Sequence, residues 1–78
     1  MNIKIRYFAS MRDRMGRGEE TLQLKDDTLT VADLWSQVSK GENLPVNTLI
    51  AVNMEYTNEK QVIKNGDEIA FFPPVTGG

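Results

Sequence analysis

The sequence contains no cysteine and no histidine among its 78 residues. Without cysteine there is neither a disulfide nor a thiolate nucleophile, and without histidine there is no imidazole for acid–base chemistry. The usual zinc ligands are missing for the same reason. These two absences exclude the enzymes and metal proteins that depend on either side chain.

Long apolar runs and an excess of basic charge are lacking as well. No apolar stretch approaches the ~20 residues of a membrane span, and the first residues do not form a signal peptide. Acidic residues number 11 against 9 basic ones, which gives a net charge of −2. That balance argues against a general nucleic-acid binder. We expect one small domain in the cytoplasm, with no nucleic-acid or membrane partner.

Two segments alternate apolar and polar residues with the two-residue period of a strand that is buried on one side. In residues 2–8 the two faces are Ile3, Ile5 and Tyr7, and Lys4, Arg6 and Phe8. In residues 68–72 they are Ile69 and Phe71, and Ala70 and Phe72. The pattern predicts that Phe8 and Phe72 both point away from the core.

The strongest helix signal covers residues 31–40. Thr30 is a good N-cap, and Asp33 stands at the position of a capping-box acid. One apolar stripe recurs at helical spacing and consists of Val31, Leu34, Trp35 and Val38. Gly41 follows where a C-terminal cap belongs. We expect this stripe to belong to the core, since such stripes more often pack inward than bind a ligand.

Weaker signals complete the order of elements. Residues 9–16 predict a short helical turn that ends at Gly16. Residues 20–25 predict a strand with Leu22 and Leu24 inward, residues 49–53 an interior strand, and residues 54–57 an edge strand. Asn65-Gly66 predicts a turn, and Pro73 and Pro74 should end the sheet because proline cannot donate to it.

This order leaves one helix to cover one face of a single mixed sheet. If the first and last strands pair in parallel at the centre, the helical crossover satisfies the chirality rule. We therefore expect an α+β fold of the ubiquitin-like β-grasp type, with four to five strands and one main helix on one face. Residues 1–72 would form the domain, and residues 73–78 a flexible, extended C-terminal tail.

The α-carboxylate of Gly78 is the one reactive group that the sequence singles out. It is ionised at neutral pH, so it must be activated before it can donate an acyl group, and formation of an acyl-adenylate with ATP is the usual biological route. Gly77 and Gly78 have no Cβ and can pass through a narrow channel. Pro73 and Pro74 keep the base of the tail extended. Residues 73–78 can span about 20 Å, enough to reach into another protein's active site.

Other side-chain clusters predict no catalytic dyad, phosphate loop or metal site. Arg12, Arg14 and Arg17 form a small basic cluster at the predicted helical turn and just after it. We interpret the cluster as solvated helix surface, with the docking of a partner at Arg12 as the alternative.

Three stretches resemble the small subunit of molybdopterin synthase, the MoaD family of ubiquitin-like sulfur carriers. They are IRYFASMRDRMG at 5–16, AVN at 51–53 and NGDEIAFFPPVTGG at 65–78. The resemblance implies that an enzyme related to ubiquitin-activating enzymes adenylates Gly78, that the glycine becomes a thiocarboxylate, and that its sulfur passes to a cyclic pyranopterin precursor of the dithiolene. No cofactor would be bound, and the activating enzyme would consume the ATP.

The resemblance also implies partners and a docking surface. The small subunit would carry no catalytic side chains and would join a large subunit that does, in a heterotetramer of two small and two large subunits. Tail contacts would come from Pro73, Pro74, Val75, Thr76, Gly77 and Gly78. The docking surface would lie on the sheet face away from the helix, where Phe8 and Phe72 are predicted, with a third apolar position at Tyr56.

Three alternatives remain open. The first is a related sulfur carrier for thiamine thiazole synthesis or tRNA thiolation, although FFPPVTGG favours the molybdopterin branch. The second is a ubiquitin-like modifier that is joined to lysines through Gly78. The third is an interaction domain whose tail is inert.

Overall fold

The computed structural model describes residues 1–74. The predicted tail residues Val75, Thr76, Gly77 and Gly78 lie outside the described residues. The elements of the described part are, in order, β1 (Asn2–Tyr7), α1 (Ser10–Met15), β2 (Glu19–Gln23), β3 (Leu29–Thr30), α2 (Val31–Val38), β4 (Leu49–Val52), β5 (Glu55–Thr57), β6 (Val62–Ile63) and β7 (Glu68–Phe72).

Five of these strands form one mixed sheet in the order β2–β1–β7–β4–β5. β1 and β7 run parallel, with Ile5 opposite Ile69, and the remaining neighbours are antiparallel. The predicted parallel pairing of the first and last strands is therefore confirmed. So is the β-grasp, with β4 as an interior strand and β5 as an edge strand.

The core lies between one face of this sheet, the inner face, and α2. The inner face supplies the predicted residues Ile3, Ile5, Tyr7, Ile69 and Phe71, and α2 supplies Val31, Leu34 and Trp35. Trp35 is 2% exposed, and its ring meets that of Phe71 edge-on at a centroid distance of 5.1 Å. The helix stripe is thus core, as expected.

The start of α2 follows the sequence signal, but its end does not. Thr30 Oγ1 accepts a hydrogen bond from the Asp33 amide at 3.1 Å, and Asp33 Oδ2 accepts one from the Thr30 amide, which completes a capping box. The predicted end at residue 40 with a cap at Gly41 was wrong. The helix ends at Val38, and Lys40 takes the left-handed position with φ 61°. Gly41 then donates to the Ser36 carbonyl at 2.8 Å, as the residue after that position does in a Schellman motif.

The short helical turn and the loop glycines agree with prediction. α1 ends at Met15, and Gly16 caps it with a left-handed φ of 77°. Gly66 has φ 89° in the turn after Asn65. β2 covers Glu19–Gln23 instead of residues 20–25, and Leu24 packs against the core from just beyond its end.

The structure contains a second, two-stranded sheet that was not predicted. β3 pairs antiparallel with β6, and Leu29 lies opposite Ile63. Strands of two residues are too short to show a period, so no local pattern predicts them.

Candidate functional site

Three aromatic side chains meet on the outer face of the sheet, the face away from α2. The rings of Phe8 and Phe72 are stacked, with centroids 4.5 Å apart and planes at 8°. The Tyr56 ring lies 6.2 Å from that of Phe72 and is tilted by 57°. We call Phe8, Tyr56 and Phe72 the outer aromatic cluster. The predicted adjacency of Phe8 and Phe72 is thus present, and Tyr56 joins them.

The pairing of the strands brings these rings together. The Phe8 amide donates to the Phe71 carbonyl at 3.1 Å, so β1 and β7 remain side by side where their outer aromatics emerge. Tyr56 of β5 lies opposite Ala51 of β4, which in turn lies opposite Ala70 of β7. Because directly opposed residues share a face, the two alanines form a low strip between Tyr56 and β1.

This alanine strip is the floor of a shallow cup of about 270 Å³. The outer aromatic cluster and Met54 supply the large apolar side chains of its lining, and Arg6 and Glu68 supply the charged ones. Met54 is 94% exposed and Tyr56 is 74% exposed. Large apolar groups that are exposed together typically mark a protein interaction surface.

The charges that border the cup compensate one another. Arg6 Nε lies 3.3 Å from a Glu68 carboxylate oxygen and 3.8 Å from Glu19, and Lys4 Nζ lies 3.7 Å from Glu19. Exposed pairs of this kind add little to stability. The apolar part of the outer face therefore lies beside a region in which positive and negative charges balance.

The basic cluster at α1 and just after it divides into paired and unpaired members. Arg14 pairs with Glu42 and Arg17 pairs with Glu20, which agrees with a solvated surface. Arg12 is the one arginine of residues 1–74 without an ion pair. Its side chain crosses Gly18, where a Cβ would come within 3.3 Å of Nε, and it lines a depression together with Phe8. Arg12 therefore adjoins the outer aromatic cluster, and its role in docking stays a prediction.

The outer aromatic cluster is continuous with the base of the tail. Pro73 and Pro74 follow β7 outside any strand, as their missing amide hydrogens predict. Together with the cluster, Ala9 and Leu49, they line a groove of about 410 Å³. The exposed aromatics and the segment that leads to Gly78 thus occupy the same edge of the domain.

Two short segments, AVN at 51–53 and NGDE at 65–68, also contain side chains that hydrogen-bond with the backbone and with each other. The Asn53 amide side chain donates to Asp67 Oδ1 at 2.9 Å, and its oxygen accepts from the Glu68 amide at 2.9 Å. Asp67 Oδ2 in turn accepts from the Lys64 amide at 2.8 Å. Hydrogen bonds therefore join AVN to NGDE where β4 ends and β7 begins. Their spacing in the sequence did not reveal this structural role.

One titratable group on the inner face is strongly perturbed. Tyr7 is buried, and its hydroxyl donates to Glu20 Oε2 at 2.6 Å, while Arg17 holds the other carboxylate oxygen at 3.1 Å. Burial, and next the hydrogen bond to Glu20, raise the pKa of the Tyr7 phenol well above its usual range. The phenol is therefore neutral at physiological pH and supports the fold without offering acid–base chemistry.

Neither a metal cluster nor a membrane helix is present in the part of the chain that the structure describes. No three acidic side chains converge there as metal ligands would. Neither α1 nor α2 has the length and apolar character to cross a bilayer.

The pattern of the ThiS family matches residues 5–78, which include all three distinctive stretches and the outer aromatic cluster. The chain belongs to this family. It is 36% identical to the molybdopterin synthase sulfur carrier subunit of Chlamydomonas reinhardtii, over 100% of both chains. It is 35% identical to the protein of the same name from Haemophilus influenzae, over 97% of this chain and 99% of that one. The resemblance found in the sequence is therefore confirmed.

Solved structures show the same fold. A molybdopterin converting factor subunit 1 from Pyrococcus furiosus superposes with a TM-score of 0.76 at 31% identity, over 96% of this chain and 99% of that one. SAMP1 from Haloferax volcanii gives 0.76 at 26% identity over both complete chains. The fold also occurs in a complex of subunits 1 and 2 of the molybdopterin-converting factor from Helicobacter pylori. The matching chain of that complex superposes with a TM-score of 0.65 at 23% identity, over 100% of both chains.

Proposed function

We propose that this chain is a sulfur carrier in molybdenum cofactor biosynthesis, the small subunit of a molybdopterin synthase. The observation that carries the proposal is the full-length similarity to two proteins named as sulfur carrier subunits of that synthase. The family match also extends to Gly78, the residue that would hold the sulfur. The outer aromatic cluster beside the tail supports the proposal because a carrier must dock before it delivers.

The chemistry takes place at the carboxylate of Gly78. A carboxylate oxygen attacks the α-phosphorus of ATP on the activating enzyme, and pyrophosphate leaves. A sulfur nucleophile at the oxidation level of sulfide then attacks the acyl carbon, AMP leaves, and a thiocarboxylate remains. In the synthase this sulfur attacks an oxygen-bearing carbon of the pyranopterin precursor, the carbon–oxygen bond breaks, and the oxygen substituent leaves with a proton. Water then cleaves the resulting thioester, which leaves sulfur on the pterin and restores the carboxylate. Two such rounds supply the dithiolene.

The domain's part is to bind and to orient. The outer aromatic cluster and Arg12 contact the large subunit, and Pro73, Pro74, Val75 and Thr76 guide the glycines into its active site. A subunit 1 of this fold forms a complex with subunit 2 in Helicobacter pylori, which supports a large subunit as the partner. The proposal includes two carriers and two large subunits in each assembly, a cytoplasmic location and no cofactor bound to the carrier.

Deletion of Gly78 tests the proposal. Intact-mass measurement of the full chain, isolated with its activating and sulfur-transfer enzymes, should show the increase for one oxygen replaced by sulfur. The deletion should leave melting and large-subunit binding unchanged, because β7 already ends at Phe72. It should abolish sulfur transfer, since one residue moves the carboxylate by more than ~3 Å.

Thr76→Ser is the matched control, because it alters the tail without shortening it, and it should retain transfer. Gly77→Val should still bind the large subunit but fail in transfer, because the branched side chain narrows the backbone choices and adds bulk in the channel. Full transfer by the shortened chain would refute the carrier function, since the carboxylate that reacts would then not be that of Gly78.

A protein modifier is the second candidate, and the similarity to SAMP1 favours it, because SAMP1 structures are described as a small archaeal modifier protein. A modifier would form an isopeptide between Gly78 and a lysine of another protein. Digested extracts would then contain lysines that carry a remnant of the tail. A carrier for thiamine or tRNA would instead form the thiocarboxylate but fail to convert the pyranopterin precursor with the large subunit.

A further inference from the structure

The chain reverses direction directly after Phe8, and the reversal places Ala9 in a conformation that L-residues rarely adopt. Ala9 has φ 49° and ψ −123°. This is the mirror image of the extended region, which glycine enters readily. The Met11 amide donates to the Phe8 carbonyl at 3.0 Å and closes a four-residue turn. These dihedral angles are the ones that the second residue of a type II′ turn adopts, a position that glycine usually occupies.

Contacts on both sides of Ala9 hold this turn in place. Before it, the Phe8 amide is bonded to the Phe71 carbonyl, and the Phe8 ring lies on that of Phe72. After it, Met11 is 3% exposed within the core. Strained backbone persists where its surroundings over-determine it, and it concentrates at functional sites.

We propose that Ala9 is a positioning residue for docking, an inference that rests on the proposed function. Its restricted backbone holds the Phe8 ring parallel to that of Phe72 before the partner arrives. Glycine would form the same turn without strain, but it would also open other conformations to Phe8. A surface that is already arranged for binding loses less conformational freedom on association and therefore binds more tightly.

The substitution Ala9→Gly separates positioning from a purely structural role. The melting temperature should rise by a few degrees, because relief of the strain outweighs the added freedom of glycine in the unfolded chain. The affinity for the large subunit should fall by roughly threefold to tenfold, as the binding-competent arrangement of Phe8 becomes less populated. A turn with only a structural role would show the gain in melting temperature with no loss of affinity.

A chemically ligated chain with Ala9→D-Ala is the matched control. A D-residue favours positive φ, so this backbone is unstrained and yet restricted. It should melt higher than the parent and bind the large subunit as tightly as the parent does. If the Gly variant binds like the parent, or the D-Ala variant binds as weakly as the Gly variant should, the positioning role is wrong.

Phe8→Ala distinguishes failure of this inference from failure of the docking face. If Phe8→Ala weakens binding and Ala9→Gly does not, the outer aromatic cluster remains the docking surface and only the role of Ala9 is refuted. If Phe8→Ala itself binds normally, the docking face is wrong, and the positioning role of Ala9 is refuted with it.

Discussion

Two stacked aromatic pairs, each joining the β1 side of the sheet to β7, lie on opposite faces of the sheet. They differ in burial and in ring geometry, although both consist of aromatic side chains. Tyr7 and Phe71 stack on the inner face at 6.0 Å and 14°, and both are buried. Phe8 and Phe72 stack on the outer face at 4.5 Å and 8°, with Phe8 exposed. Each outer residue follows its inner neighbour directly in the sequence. The two-residue period of the strands alone assigns one pair to the core and the other to the surface.

This difference assigns the inner pair to stability and, under the proposed function, the outer pair to recognition of the large subunit. A buried aromatic ring removes about 150–250 Å² from water, so the inner pair supports the fold. The outer pair belongs neither to α2 nor to the core, and its exposed surface is available to a partner. Substitutions in the two pairs should therefore have opposite signatures.

The largest expected contrast is between Phe71→Ala and Phe72→Ala. Loss of the Phe71 ring should cost about 3–5 kcal/mol of unfolding free energy, because it leaves a cavity beneath Trp35. Loss of the Phe72 ring should leave the domain folded but weaken large-subunit binding by about 2 kcal/mol, some thirtyfold. Urea denaturation and calorimetric titration on both variants measure the two effects. The comparison is wrong if Phe72→Ala unfolds the domain, or if it binds as well as the parent does.

Substitution of Trp35 tests how much α2 contributes to the core at the inner face. Trp35→Ala should destabilise the domain by about 3–5 kcal/mol, which is a large part of the stability of any small domain. Within residues 1–74 its indole Nε1 is the one fully buried side-chain nitrogen or oxygen without a hydrogen-bond partner. Trp35→Phe removes this donor and keeps most of the ring, so it should cost clearly less. Equal thermal melting of the Ala variant and the parent would remove Trp35 from the core.

Periodicity was enough to predict the parts of the fold in which local sequence and tertiary burial agree. Alternation at residues 3–8 and 69–72 assigned both faces correctly, and the Thr30–Asp33 capping box marked the start of α2. In each case the signal repeats or falls within one turn of chain. The outer aromatic cluster could be anticipated in part because parallel neighbours bring Phe8 and Phe72 together once the topology is known.

The rest depends on partners that are distant in sequence. β3 forms because the Val31 amide donates to the Gln61 carbonyl and Leu29 meets Ile63, contacts that no local pattern encodes. The hydrogen bond from Asn53 to Asp67 likewise joins residues that are distant in sequence, so no local pattern predicts it. The turn at Ala9 contains no glycine from which it could be predicted, so only the backbone dihedral angles reveal it.

A smaller effect should come from Tyr7, the polar member of the inner pair. Its folded pKa is raised, so its contribution to stability is complete below the unfolded value of about 10 and is lost as the pH rises beyond that value. Tyr7→Phe should cost about 1 kcal/mol at neutral pH through the lost hydrogen bond to Glu20. Above about pH 10 the variant should lose stability less steeply than the parent. Urea midpoints across the alkaline range measure the slopes, and parallel slopes would show that the phenol does not contribute to them.

The smallest effect is expected at Lys40, which belongs to neither aromatic pair. Its φ of 61° costs an L-residue about 1–2 kcal/mol, whereas glycine adopts it freely but loses more entropy on folding. Lys40→Gly should therefore stabilise the domain by about 0.5–1 kcal/mol, visible as a rise of a few degrees in melting temperature. Gly41→Ala is the matched control and should destabilise, because φ is 87° there. Both positions follow α2 on the inner side of the sheet, so neither change should alter large-subunit affinity. A clear loss of binding in Lys40→Gly would show that recognition extends beyond the outer face, and the division between the two faces would not hold.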